Sequence, residues 1–422
     1  MIRKVKDFLY FTIARYFRFF ARIRLRRWNP RIAVITGSNG KTMALHLTEV
    51  QLGASARYSF LANSAYGIPF DILGLKRVSF SPVEWIRLFL AAPFCALKGP
   101  YAENIYIVEA DCPCPGEGNF LGSFLKPEVC VWLSSARTHS KLYEKVVGGN
   151  GFKSVDEAIA YEFGCFLPHT SKLVIANADN PLIEQQLYRA HAEVYRIKER
   201  ERLTSYDVSV AGSEFTIDGT TYRVPQLLPK ETFYAILSSV WLAEYFGKRP
   251  TSDLSTLRVP PGRSSLFRGL MHTTIVDSSY NANVDSVAAI VRMTDKLAGE
   301  KWLILGDLTE QGRFEKEEHE RLAHLLSKSD FKRIITVGPR MRAFALPIIE
   351  VSAPNIVAAS FIGPKEALEY LESGVQGNEI LVFKGARFLE GIIEQLLEDK
   401  SDVTKLCRRE KIWQIRRKKW GL

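Results

Sequence analysis

The sequence predicts an α/β protein of two domains, each built on a mostly parallel sheet with covering helices, and preceded by one amphipathic helix. Three observations lead there. Apolar strand-like runs alternate with helical patterns up to about residue 200, and a glycine-rich turn at 37–42 joins a strand to a helix. A proline-rich joint, Val259-Pro-Pro-Gly-Arg263, then opens a second alternating series of Rossmann-like character. With 422 residues, 46% of them hydrophobic, the chain has material for two or three cores, and its composition does not indicate disorder.

Residues 1–30 form the basic amphipathic helix. Its segment Phe8–Ala21 is rich in aromatics, while Arg15, Arg18, Arg22 and Arg26 recur at three- and four-residue steps along one face. Charge interrupts it too often for a bilayer span, and it lacks a small-residue cleavage site. Two destinations are open: an anionic cytoplasmic membrane surface, or packing on the body of the fold. A second apolar run, Trp85–Leu97, is also too short to span and could join the helix at a membrane or be buried in a core.

The first domain, 31–258, takes strands at Ile32–Ile35, Ile105–Val108, Val129–Leu133 and Leu173–Ala176. Residues 206–225 read instead as short antiparallel strands with Asp218-Gly219 as the hairpin turn, followed by a helix over Thr232–Phe246. The second domain, 259–403, takes strands at Thr274–Val276, Trp302–Leu305, Ile334–Val337 and Ile380–Phe383. Residues 404–422 form a basic tail expected to be loosely held.

The net charge of +11 is unevenly placed. Residues 1–31 carry +9 and residues 405–419 carry +7, which leaves the body at −5. An acidic body argues against a nucleic-acid groove, so no nucleic-acid partner is expected. The six cysteines show no paired CxxC spacing and read as reduced thiols; Cys112-Pro-Cys114 is a weak candidate pair. These features suit a cytoplasmic protein, with a peripheral place at the membrane left open by the helix.

The turn Gly37-Ser38-Asn39-Gly40-Lys41-Thr42 carries the chemistry. Such a turn aims backbone N–H groups at a phosphate, lets Lys41 reach the terminal phosphates, and offers the Thr42 hydroxyl to Mg²⁺. A nucleoside triphosphate is the expected ligand. The general P-loop has a glycine five residues before its Gly-Lys pair, whereas here that position is Ile35, so the loop is a shorter variant. Glu109 and His139 each follow a strand, and ligands collect at the carboxyl ends of strands in open α/β sheets. Strand ends could therefore bring Thr42, Glu109 and His139 together around a metal.

In this order, several separated motifs resemble the Mur ligase family, and within it the branch that adds D-alanyl-D-alanine to a UDP-linked muramoyl tripeptide. They are Thr36-Gly-Ser-Asn-Gly-Lys-Thr42, Asn63-Ser-Ala-Tyr-Gly-Ile-Pro-Phe-Asp-Ile-Leu73, Glu109 with Pro115-Gly-Glu117, and Ala176-Asn-Ala-Asp-Asn-Pro181. Pro261-Gly-Arg263, Asp277-Ser-Ser-Tyr-Asn-Ala-Asn283, Leu305-Gly-Asp-Leu-Thr-Glu-Gln-Gly312 with His319, and Lys384-Gly-Ala-Arg387 complete the set. The resemblance runs from about Ile32 to Leu397. It implies ATP-dependent amide formation: a carboxylate is phosphorylated to an acyl phosphate, which an amino acid or dipeptide amine then attacks.

By the same resemblance, Lys41 and Thr42 would hold phosphates and Mg²⁺, and Glu109 and His139 would coordinate metal. Asn177, Arg263, Asp277, Tyr280 and Asn281 would contact the nucleotide, with Lys41, Glu109, His139 and Arg263 in catalytic roles. Lys384 and Arg387 could bind an acidic substrate or cap a sheet edge. Many members carry a carbamoylated lysine after the position of His139; here Tyr161 or Glu162 stands in that region, and Glu162 could supply a metal-facing carboxylate directly. The family's Gly-x-His-Asn segment is replaced by Pro229-Lys-Glu-Thr232. Only about thirty residues precede the P-loop strand, so the family's UDP-sugar-holding N-terminal domain is expected to be absent. A small-molecule or lipid-linked carboxylate substrate would then replace the UDP-linked one. A membrane-attached ATP-binding scaffold without ligase activity remains the alternative, as does a ligase building polyglutamate.

Overall fold

The computed structural model describes residues 2–60, 62–77, 82–148 and 151–422, with side chains from Tyr10 onward apart from Pro82. Two compact units emerge, neither continuous in sequence: Met1–Arg202 with Tyr234–Thr251, and Leu203–Phe233 with Ser252–Leu422.

The first unit is built on six strands, β1 (Arg31–Thr36), β2 (Ala56–Tyr58), β3 (Ile105–Ala110), β4 (Val129–Trp132), β5 (Leu173–Asn177) and β6 (Glu193–Ile197). They are ordered β2-β3-β1-β4-β5-β6 and every pairing is parallel. Strands buried on both faces need continuous apolar runs, and β1, β3 and β4 have them. Register aligns Ile35 with Glu109 and with Val131, so the carboxyl ends of the three central strands finish level.

Helix α1 (Ile2–Trp28) packs on this unit. Ala14, Phe17 and Ala21 are fully buried, and the Phe17 ring meets Phe70 at 4.7 Å and Phe89 at 5.0 Å. Burying a phenylalanine of this kind contributes about 2–3 kcal/mol. Arg24 is buried and donates to the Leu73 carbonyl at 2.7 Å. Arg18 does not join the outward arginines: it turns in, donates to the Phe120 carbonyl at 2.8 Å and lies over the Phe120 ring. Of the two destinations open to this helix, packing on the fold is thus realised along one face, while Arg15, Phe19 and Arg26 stay exposed.

The second unit holds a small antiparallel sheet, β7 (Leu203–Ser209), β8 (Gly212–Ile217) and β9 (Thr220–Val224). Its β8–β9 turn places Asp218 at φ 48° and Gly219 at φ 77°, the left-handed pair that a two-residue hairpin requires. The main sheet comprises β10 (Ser265–Arg268), β11 (Thr274–Ser278), β12 (Lys301–Gly306), β13 (Arg333–Val337), β14 (Val357–Phe361) and β15 (Ile380–Lys384). Its order is β10-β11-β15-β12-β13-β14, antiparallel only at β10–β11.

Residues 203–233 belong with this unit rather than with the domain that precedes the proline joint. Leu227 is fully buried in the cluster that includes Val276, Leu303, Leu305 and Val382. Lys296 donates to the Tyr206 carbonyl at 3.0 Å, and Arg292 pairs with Glu231. The basic tail also departs from expectation, because its arginines find partners instead of remaining in solvent. Leu406 and Cys407 are buried, Arg408 donates to the Ser279 carbonyl at 3.3 Å and the Tyr280 carbonyl at 2.6 Å, and Arg408 and Arg417 share the buried Glu390.

Candidate functional site

In the first unit the chain leaves β1 at Thr36, turns through Gly37–Gly40 and enters α2 (Lys41–Leu52). Gly37 has φ 127°, and a Cβ there would meet the Ser134 carbonyl oxygen at 2.7 Å, so only glycine fits. Gly40, at φ 84°, is the left-handed N-cap of α2 and no side chain caps that end. Ser134, just beyond β4, braces the turn. Its carbonyl accepts from Ser38 N–H at 3.1 Å and its hydroxyl accepts from Asn39 N–H at 2.7 Å. The result is a helix N-terminus presented by a rigid loop, a ready anion site.

Lys41 is buried, with Nζ donating to the Gly37 carbonyl at 2.5 Å and to Asp111 Oδ1 at 3.2 Å. His139 Nε2 lies 3.6 Å from Asp111 Oδ2. Burial pushes the Asp111 carboxyl up, but Lys41 and His139 outweigh this and hold it well below the usual carboxylate range. Asp111 therefore joins two residues singled out from sequence and was itself missed. The available signal was its place one residue past β3, on the same strand-alternation face as Glu109.

Glu109 sits at the end of β3, its Oε1 accepting from Asn63 Nδ2 at 3.3 Å and its backbone N–H donating to Ser59 at 2.9 Å. Glu162 is placed otherwise than expected for a metal-facing group. Both its oxygens accept backbone N–H groups, from Gly116 at 2.8 Å and Gly118 at 3.0 Å, at the start of α5 (Glu117–Leu125). It neutralises a helix N-terminus, the role favoured for a carboxylate there. Tyr161, its neighbour, is exposed and packs at a tilt against Phe152. Among the described residues, no three His, Cys, Asp or Glu side chains converge as a metal set. Of the other donors expected for a metal, His139 lies against Asp111, while the Thr42 hydroxyl and the Glu109 carboxylate are oxygen donors of the kind Mg²⁺ takes, with few protein ligands and the rest from phosphates and water.

Asn177, at the end of β5, has both ends of its amide engaged: Nδ2 donates to the Leu133 carbonyl at 2.9 Å and Oδ1 accepts from Asp179 N–H at 3.0 Å. It ties β5 to the segment after β4. Glu117, from the Pro-Gly-Glu motif, is fully buried, accepts from Tyr10 at 2.9 Å and Ala65 N–H at 2.6 Å, and is pushed up to about 7 by burial.

The second unit gathers its candidates at the carboxyl ends of β11 and β15. Asp277 is fully buried; Oδ1 accepts from Ser279 N–H at 2.9 Å, while Oδ2 has no partner and burial raises its pKa. Lys384 follows in register beside Ser278 and donates to the Asn281 carbonyl at 2.7 Å. Burial pulls its ammonium down to about 7, with Arg263 adding to the shift and Asp277 opposing it. The Arg263 guanidinium lies 4.5 Å over the half-exposed Tyr280 ring. Arg387 donates from Nε and Nη2 to the one oxygen Oδ2 of the buried Asp307, at 3.0 and 2.6 Å, and Arg340 approaches the same oxygen at 3.4 Å. Lys384 and Arg387 are thus brought to one end of the sheet, each with an internal partner.

The first unit thus carries an all-parallel sheet with a glycine turn and Lys41 and Thr42 at the start of its helix, and the second carries Asp277, Tyr280 and Lys384 at or just past its strand ends. Residues 262–387 match the family model described as Mur ligase, glutamate ligase domain. The chain is similar to the UDP-N-acetylmuramoyl-tripeptide--D-alanyl-D-alanine ligase of Bacillus subtilis (strain 168), 23% identical over 90% of this chain and 78% of that protein. The enzyme of the same description from Mycobacterium bovis is 32% identical over 59% of this chain and 51% of its own length. Among solved structures, the MurF ligase from Thermotoga maritima in complex with ADP superposes with a TM-score of 0.73 at 19% identity, covering 93% of this chain and 84% of that one. The likeness to that structure establishes the fold.

Proposed function

We propose that this protein is an ATP-dependent ligase that joins a carboxylate to an amine in the synthesis of cell-wall precursors. The observation that carries the reading is the braced turn at Gly37–Thr42 with Lys41 held on Asp111 beside His139. Lys41 and the α2 N-terminus would take the phosphates, so that negative charge developing during phosphoryl transfer meets fixed positive charge. Mg²⁺, held by Thr42 and Glu109, would neutralise phosphate oxygens when bound. In the second unit, Asp277, Arg263, Tyr280 and Asn281 would contact the nucleoside, and Lys384 an acidic substrate group. The substrate carboxylate oxygen bonds to the terminal phosphorus as ADP leaves; the amine then bonds to the acyl carbon as phosphate leaves.

The relatives named above act, by their names, on a UDP-linked muramoyl tripeptide and D-alanyl-D-alanine. For this chain we propose a carboxylate of the same precursor class, presented as a small molecule or a lipid-linked one, with the protein working at the cytoplasmic face of a membrane. A second reading, an ATP-binding scaffold without ligase chemistry, draws on Glu162, whose carboxylate serves a helix end rather than a metal. ADP release measured over pairs of cell-wall peptide precursors and amines separates the two. The ligase reading expects release that needs both partners. ADP-independent binding of ATP with no release over the whole panel would favour the scaffold.

A further inference from the structure

Helix α3 (Gly67–Leu73) is followed in the first unit by α4 (Pro82–Ala96), and α4 has two apolar faces where one would suffice for packing. Leu88, Ala92, Cys95 and Ala96 are buried in the unit. Val83, Ile86, Leu90, Phe94 and Leu97 are 61–74% exposed. At 100° per residue these five fall within an arc of ~80°, a continuous stripe about 22 Å long on the solvent side. Scattered exposed apolar residues need no explanation, but a stripe of five does.

The surroundings of the stripe are basic. Arg87 borders it on α4 itself with its side chain 65% exposed, and Lys98 follows at its end. Helix α1 lies alongside: Tyr16 donates to the Phe89 carbonyl at 2.8 Å, and Arg27 donates to the Leu97 carbonyl at 3.0 Å. That helix turns Arg15, Phe19 and Arg26 outward, with Phe19 61% exposed. The single acid of α4, Glu84, is buried. No described helix is long and apolar enough to cross a membrane.

We propose that the α4 stripe, with Phe19 and its border of Arg15, Arg26, Arg27, Arg87 and Lys98, is the face by which this protein docks on an anionic lipid surface. This rests on the membrane-face location proposed above and specifies the element responsible: α4 enters the headgroup–acyl boundary, while α1 serves as its basic flank. A stripe of this length lies in the interface plane with its apolar side chains sunk about 5–10 Å, and each nearby arginine adds about 1 kcal/mol of attraction to anionic lipid.

The test is sedimentation of the full chain with vesicles of phosphatidylcholine alone and with one-third phosphatidylglycerol, at low and high salt. Variants are Ile86→Ser/Leu90→Ser/Phe94→Ser and Arg15→Gln/Arg26→Gln, with retained ATP binding as the check on folding. Binding to the anionic vesicles that drops at least ten-fold in the triple variant, and about 25-fold at low salt in the arginine variant, supports the proposal; that figure is ~1 kcal/mol for each arginine. If both variants bind like the parent, the membrane location stands and this face is wrong. If the parent binds neither vesicle, the location itself fails. A concentration-dependent dimer that the triple variant abolishes, with no vesicle binding, assigns the face to a second copy and overturns the proposal.

Discussion

Two aspartates at strand ends, the part-buried Asp111 in the first unit and the fully buried Asp277 in the second, are in opposite electrostatic states. Asp111, past β3, has Lys41 and His139 as partners and is held ionised. Asp277, on β11, keeps one oxygen with no partner and is pushed toward its neutral form by burial. The lysines differ in step: Lys41 is ion-paired, whereas Lys384 rests on a carbonyl and is pulled down to about 7. The difference teaches that the strand-end charges of the first unit are paired internally, while those of the second unit hold an unmet polar demand that a ligand hydroxyl or amine can satisfy.

The largest way to break this contrast is Lys41→Ala. ATP turnover should fall by orders of magnitude, because the lysine is the cation expected to meet the phosphates, while loss of its ion pair with Asp111 should cost about 2 kcal/mol of stability without preventing folding. ADP release near the parent level in a folded variant would remove the phosphate role.

The paired substitutions Asp111→Asn and Asp277→Asn sharpen it next. A carboxyl with a depressed folded pKa contributes stability that is complete above its unfolded value near 4 and is lost as pH falls through the folded value. Asp111→Asn should therefore cost about 2 kcal/mol at pH 7 and progressively less in acid. A carboxyl with a raised folded pKa contributes only below its unfolded value, and that contribution is lost as pH rises through the folded one. Asp277→Asn should therefore hold or raise the melting temperature at pH 7. Equal destabilisation of the two variants in melts at pH 7 would show the contrast to be false.

A smaller effect belongs to Lys384, whose charge changes near pH 7. Affinity for an anionic ligand of the second unit should rise about ten-fold from pH 8 to pH 6 in the parent, since one pKa unit is a factor of ten. Calorimetry on Lys384→Met should give the flatter profile; identical pH profiles would mean that Lys384 never meets the ligand. The smallest effect expected on turnover is from Arg408→Ala, which frees the Ser279 and Tyr280 carbonyls and leaves the buried Glu390 to Arg417. KM for ATP should rise about five-fold with kcat little changed, roughly the loss of one net hydrogen bond. A fall in kcat at constant KM would contradict the positioning role.

Much of this was legible in the sequence because it follows from periodicity and punctuation. The strand before Gly37, the Asp218-Gly219 hairpin and the strand-end placement of Glu109 and Asp277 all come from local pattern, whereas His139 lies seven residues beyond β4, at the start of a short helix. What local pattern does not carry is the identity of a side chain's partner. Arg18 and Arg15 share a helix face in the sequence, yet one meets a carbonyl and the other meets solvent. Glu162 is the right residue type for a metal, but the nearby start of α5 takes both its oxygens. Arg387 reads as a contact for an acidic substrate and Asp307, eighty residues away, only as part of a motif, yet they are found as one ion pair. The tail reads as loose because its charge is high, and its distant partners, buried Glu390, Glu394 and the Ser279 and Tyr280 carbonyls, explain why it is not.

The assignment of residues 203–233 to the second unit limits how this gene can be cut and rejoined. A fragment opening at the Val259-Pro-Pro joint would lack Leu227, leaving a hole among Val276, Leu303 and Val382 worth about 2–5 kcal/mol. It would also lose the carbonyl that holds Lys296 and the carboxylate that holds Arg292. Exchange of this unit alone between relatives therefore requires three crossovers to be inherited together, at 202/203, 233/234 and 251/252, so new specificities in such chains are reached more readily by point changes at strand ends than by swapping the module whole.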